Sequence, residues 1–150
     1  MLLNLKARFH RLFVILDAEG VGIFQAIVYA HIIGMGLYGM LEAGVPQVVE
    51  DSLGRFFNTL WLWMCLGALI CEVGKMMKGK RAYLGMCMQF GGDLFVFGVL
   101  ATYTYSTLYT GYWGKAMAGV FLSAALADCV LLLIIRDVRR LVLVERIVRK

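Results

Sequence analysis

Histidine and proline are scarce in this chain of 150 residues, and long polar stretches are missing. Two histidines, His10 and His31, are too few to suggest a bis-histidine haem pair or a histidine-rich metal site within one copy. The cysteines, Cys65, Cys71, Cys87 and Cys129, form no CxxC pair, and none falls in a connecting loop where an oxidising compartment would favour a disulfide. Apolar packing is their expected role. No nucleophile with its base, no phosphate-binding glycine loop and no paired-carboxylate motif stands out, so neither an enzyme nor a cofactor is expected. The sequence shows no internal repeat, low-complexity tract or linker, and one membrane domain over residues 1–150 is the economical reading. The apolar stretch Leu12 to Leu16 is short and stops at Asp17 and Glu19, which does not fit a cleavable signal.

What is present is hydrophobicity. The chain is 61% hydrophobic and 17% charged, well beyond a soluble domain of this size. A hydrocarbon core about 30 Å thick needs roughly 20 apolar residues in a helix. Four such runs occur, at about 21–41, 56–73, 84–108 and 116–135. The fold class is therefore an all-α integral membrane protein with four transmembrane helices.

Basic residues set the expected orientation, because cytoplasmic flanks retain Lys and Arg during insertion. Lys6, Arg8 and Arg11 precede the first run, Lys75, Lys78, Lys80 and Arg81 follow the second, and the tail 136–150 carries Arg136, Arg139, Arg140, Arg146, Arg149 and Lys150. Only Arg55 and Lys115, of 15 basic residues, fall on the other side. Both termini are expected in the cytoplasm. Trp61, Trp63, Tyr103, Tyr105, Tyr109, Tyr112 and Trp113 gather toward the opposite ends of the helices, as headgroup-level aromatics do. Positive-inside insertion accounts for the net charge of +5, and nucleic acid is not an expected partner.

The two ends of the chain have their own pattern. Leu2, Leu5, Phe9, Leu12 and Leu16 recur at helical spacing, predicting an interfacial amphipathic helix over about 2–17. The basic tail predicts a continuation of the fourth helix that touches lipid or docks a partner, with Glu145 four residues before Arg149.

Small residues let backbones approach where apolar burial drives nothing. Gly22, Ala26, Ala30 and Gly34 in the first run, and Gly119, Ser123 and Ala127 in the fourth, are candidate packing faces, within one bundle or between copies. Three ionisable residues on three helices fall at nearly one depth inside the runs, while Glu72, at the basic end of the second beside Lys75, is a weaker candidate. At about 1.5 Å per residue, His31 and Asp93 lie about 15 and 13 Å from the basic ends of their helices, and Asp128 about 12 Å from Arg136. With Gln89 one turn from Asp93, they make a candidate polar layer near the midplane. A carboxylate at a helix centre costs roughly 2.5–3.5 kcal/mol, so none is expected to face lipid alone. His31 could pair with an aspartate, or neutral carboxyls could donate to neighbours such as Gln89. The layer would be either structural glue or the lining of a path.

GVPQVVEDSLG after the first run, LWLW opening the second, CEVGK closing it, MQFGGD in the third and RDVRRLVLVERIVRK after the fourth resemble small four-span membrane proteins of actinobacteriophages, mycobacteriophages especially. The resemblance implies a phage origin and, for some of that group, a holin-like role. Three functions follow as expectations. The first is an oligomer that permeabilises or depolarises the host cytoplasmic membrane. The second is an ion or proton channel using the His31, Asp93 and Asp128 layer. The third is an accessory or superinfection-exclusion protein acting through a host membrane protein.

Overall fold

In lipid every backbone amide and carbonyl must be satisfied within the chain, so long apolar runs fold as helices. The computed structural model describes residues 19–77, 79–111 and 113–148, and the expected interfacial helix at 2–17 lies outside them, as do Arg149 and Lys150. Four long helices carry the fold: α1 (Glu19–Tyr38), α2 (Arg55–Met76), α3 (Ala82–Tyr109) and α4 (Trp113–Val148), with no strand among the described residues. All four are long and apolar enough to cross a membrane.

The helix ends explain the small shifts from the expected bounds. α1 passes directly into a π-helical turn, Gly39–Ala43, which lengthens the first span. Gly44, at φ 72°, stops it and returns its amide to the Gly39 carbonyl at 2.9 Å. Pro46 then opens the one-turn helix Gln47–Glu50, where its fixed φ suits a helix start. α2 runs three residues past the expected 73 to Met76, and the 3-10 turn Gly79–Arg81 leads into α3. In α4 the backbone breaks at Ala116 (φ −118°, ψ 21°), then continues unbroken through the basic segment, as expected for the tail.

Packing runs α1 on α2, α2 on α3 and α3 on α4, whereas α1 and α4 do not pack along one another. The helices thus form a curved row with α1 and α4 at its free edges. Several contacts between neighbours need glycine, two of them near one end of α2 and α3. A methyl group at Gly92 would sit 2.5 Å from the Cys71 backbone nitrogen, and one at Gly74 would sit 2.6 Å from the Gly85 carbonyl oxygen. These close approaches hold α2 against α3 at the end that carries Lys75, Arg81 and Arg136, called the basic end below. At the opposite loop end the segment 45–53 folds back over the helices. Val49 is fully buried there and Ser52 donates to the Ser106 hydroxyl. Between the two ends lie Ile32, Trp61, Cys65, Ala68, Val96, Val99, Ala127 and Val130, with Trp61 Nε1 donating to the Val99 carbonyl at 3.2 Å. Phe24, Trp63, Leu69, Phe121 and Leu122 face outward, as they would toward lipid.

Candidate functional site

Gly92 brings α3 onto Cys71, and the next residue, Asp93, is delivered into the middle of the row. Its side chain is completely buried. Oδ1 accepts from Tyr29 Oη at 2.7 Å, from Gln25 Nε2 at 3.0 Å and from Cys71 Sγ at 3.1 Å. Gln25 and Tyr29 are one turn apart on α1 and therefore share the face turned to α3. Three helices meet on one oxygen. A buried carboxyl facing hydrocarbon would be costly, and here donors from two neighbouring helices surround it. Asp93 Oδ2 and Gln25 Oε1 are buried without a protein hydrogen bond.

A second polar group lies toward the basic end. Arg136 and Asp137 are both buried on α4, with Arg136 Nε donating to Asp137 Oδ1 at 2.8 Å and Arg140 Nη1 3.9 Å from the same oxygen. On α2, Lys75 pairs with Glu72 at 2.6 Å, and its Nζ stands 5.6 Å from the centre of the Tyr29 ring. Two buried polar groups are thus present, one around Asp93 and one at Arg136 and Asp137.

The expected midplane layer is not assembled within one copy. His31 is exposed, and its Nδ1 donates to the Ile27 carbonyl at 2.8 Å, one turn back on its own helix. Asp128 is exposed as well. Depth was read from helical rise, but rotation separates these groups. His31 lies two residues from Tyr29, and Asp128 one residue from the buried Ala127, so each points away from its helix's packed face. Gln89 does not reach Asp93 either. It lines a cavity of about 310 Å³ with Met77, Ala82, Met86, Arg140 and Leu143.

The small-residue faces divide. On α4, Ser123 and Ala127 are buried, and Ser123 shares a hydrogen bond of 2.8 Å with Thr104 of α3, so that stripe packs inside the copy. A methyl at Gly119 would meet only the Tyr103 hydroxyl, at 3.6 Å. On α1, Gly22 and Ala26 are half-buried and Ala30 and Gly34 exposed, and a methyl at Gly22 or Gly34 would touch nothing within 4 Å. The glycine that α2 does require on α1 is Gly36, where a methyl would meet Cys65 Cβ at 2.6 Å. Among the basic residues, Arg139 and Arg146 are exposed, Arg140 half-buried and Arg136 buried.

Between the free edges α1 and α4 a groove opens. Its part nearer the basic end is a cavity of about 270 Å³ between Phe24, Gln25 and Val28 of α1 and Leu126, Cys129 and Leu133 of α4. Its other part, about 510 Å³, is floored by Trp61, Val99 and Tyr103 and flanked by His31 and Ser123. Val28 and Leu126 border both.

Gln25, Tyr29, Cys71 and Asp137 are the functional candidates that sequence reasoning missed, and Arg136, expected to touch lipid or a partner, is instead buried against Asp137. The available signal was the i, i+4 spacing of Gln25 and Tyr29, a polar pair inside an apolar run. All four cysteines are free, and among the described residues no group of three or more His, Cys, Asp or Glu side chains is arranged to hold a metal ion. No family model, no curated protein and no solved structure matches the chain.

Proposed function

We propose that this chain is a phage-encoded, holin-like protein of the host cytoplasmic membrane, with both termini in the cytoplasm, whose copies associate and open the membrane to ions and water. One observation carries this reading: His31 and Asp128 are exposed on the two edge helices, within the spans. An aspartate facing lipid near a helix centre costs roughly 2.5–3.5 kcal/mol, so covering it or wetting it favours association. The exposed Ala30 and Gly34 supply a face on which another helix can approach closely. The phage origin rests on the resemblance of the sequence motifs. Induction in a bacterial host, with membrane potential and uptake of an impermeant dye followed together, tests the reading. Depolarisation and dye uptake are expected, and normal potential at high expression overturns it.

A second reading, an ion or proton path within one copy, is favoured by the buried Asp93, whose Oδ2 has no protein hydrogen bond, and by the buried Arg136–Asp137 pair. Purified protein in liposomes would then conduct protons, and Asp93→Asn would reduce the flux. Unchanged flux in that variant removes the reading.

A further inference from the structure

We propose that the groove between α1 and α4 of one copy receives the Asp128 flank of a second copy's α4, so that His31 and the second copy's Asp128 meet across the contact. This inference rests on the associating, holin-like reading and names the surfaces through which it works.

The histidine supplies the first half of the argument. A carbonyl oxygen can only accept, so the bond from Nδ1 to the Ile27 carbonyl fixes a proton on Nδ1. Nε2 is the remaining polar atom of the ring, and it belongs to a side chain that borders the larger cavity of the groove.

Asp128 supplies the second half. Leu122, Leu126, Cys129, Leu132 and Leu133 line the groove on α4. Asp128 lines neither cavity, is exposed, and at 3.6 residues per turn stands roughly 110° around the helix from the middle of that wall. It therefore turns outward from most of its own copy's groove. Yet it is a carboxyl on a membrane-spanning face, where it needs a partner. The groove holds a nitrogen that needs one too. A protonated carboxyl donating to Nε2, or an imidazolium donating to a carboxylate, satisfies both atoms equally, with a single proton between them.

Depth is compatible. Val28 and Leu126 border both cavities and so mark one level on the antiparallel edge helices. His31 lies three residues, about 4.5 Å, toward the loop end from that level, and Asp128 two residues, about 3 Å, toward the basic end. Side chains lean toward the N-terminus of their own helix. His31 leans toward the basic end, as its bond to Ile27 records, and Asp128 leans toward the loop end, so the two approach each other.

The contact joins two different surfaces, and each copy offers one of each. Such a contact is heterologous and repeats, closing into a ring or growing as a chain, instead of ending at a symmetric dimer.

Paired cysteines test this. Chains carrying both His31→Cys and Asp128→Cys, in a Cys129→Ala background, are oxidised in native membranes and separated without reductant. A ladder of dimer, trimer and larger species is expected from the double variant and from neither single variant. Mixing the two single variants should give a dimer and nothing larger. Cross-linking of the His31→Cys chain with itself, or a ladder that stops at dimer in the double variant, overturns the heterologous contact. Absence of any cross-link from chains that still run as oligomers on native gels and still admit dye overturns the contact while leaving the proposed function standing. A monomer that admits no dye, with phospholipid held in the groove, overturns both.

Discussion

At the scale of single residues, the arrangement around Asp93 separates what its carboxyl does for the fold from what each neighbour contributes. A hydrogen bond between membrane helices is worth about 0.6 kcal/mol on average and up to about 1.7. Tyr29→Phe should therefore lower stability by about that much, read as the shift in a detergent-denaturation midpoint. Asp93→Leu strands three donors, where Tyr29→Phe strands none, at about 1–3 kcal/mol for each buried group left unpaired, and should cost clearly more. Asp93→Asn keeps an acceptor and should fall between. Wild-type stability in Asp93→Leu would mean that the cluster holds nothing together. The two glycines before Asp93 also part company. A methyl at Gly91 meets nothing within 4 Å, whereas one at Gly92 strikes the backbone of α2. Gly91→Ala should be silent and Gly92→Ala should cost about 1–3 kcal/mol, as overpacking does.

At the scale of helices, the fourth is the most unusual. The 32 residues after the break at Ala116 make a rod of about 48 Å, against a hydrocarbon core of about 30 Å, so its basic segment continues well past the apolar part. Arg136 and Asp137 are buried at the level where the apolar part ends. Removing one partner of a buried ion pair costs about 3–5 kcal/mol because the other is left buried alone. Arg136→Leu should approach that figure, softened by Arg140, and Arg136→Leu with Asp137→Leu together should cost less than the first change alone. A double-mutant cycle in detergent checks the difference.

The helices also show where sequence reasoning works and where it stops. The spans and the continuation of α4 were legible because length and apolarity alone define them. Rotation was not. In a soluble helix the apolar stripe marks the inward face, but in lipid both faces are apolar and the stripe disappears. Nothing in the first run distinguishes the side of Tyr29 from the side of His31, so three polar residues at similar depth read as one layer. Within one copy, Gly36, and not Gly22 or Gly34, is the glycine that α2 abuts.

At the scale of the whole molecule, the row of helices has an acidic loop end and a basic end, and the distribution of charge across them predicts how it sits in a cell. Glu50 and Arg81 are both exposed. In cells expressing the protein below the level that opens the membrane, an impermeant maleimide should label Glu50→Cys from outside and Arg81→Cys only after lysis. Labelling of both in intact cells, or the reverse pattern, would contradict a cytoplasmic position for the termini. The edges of the row should also tolerate change differently from its middle. Gly34→Leu should leave the stability of a single copy in detergent unaltered while Gly36→Leu disrupts it, and any loss of association in Gly34→Leu would mark that face as one used between copies.

Val49, sealed under the returning segment at the loop end, bears on how current would flow. With Val49 buried at one end and Trp61, Val96 and Val99 filling the middle, apolar side chains among the described residues separate Asp93 from the loop end, which disfavours a path inside one copy. Ions would instead pass along seams between copies. In planar bilayer recordings, openings through such seams would vary in size with the number of copies recruited. A path inside one copy would give a fixed unit step.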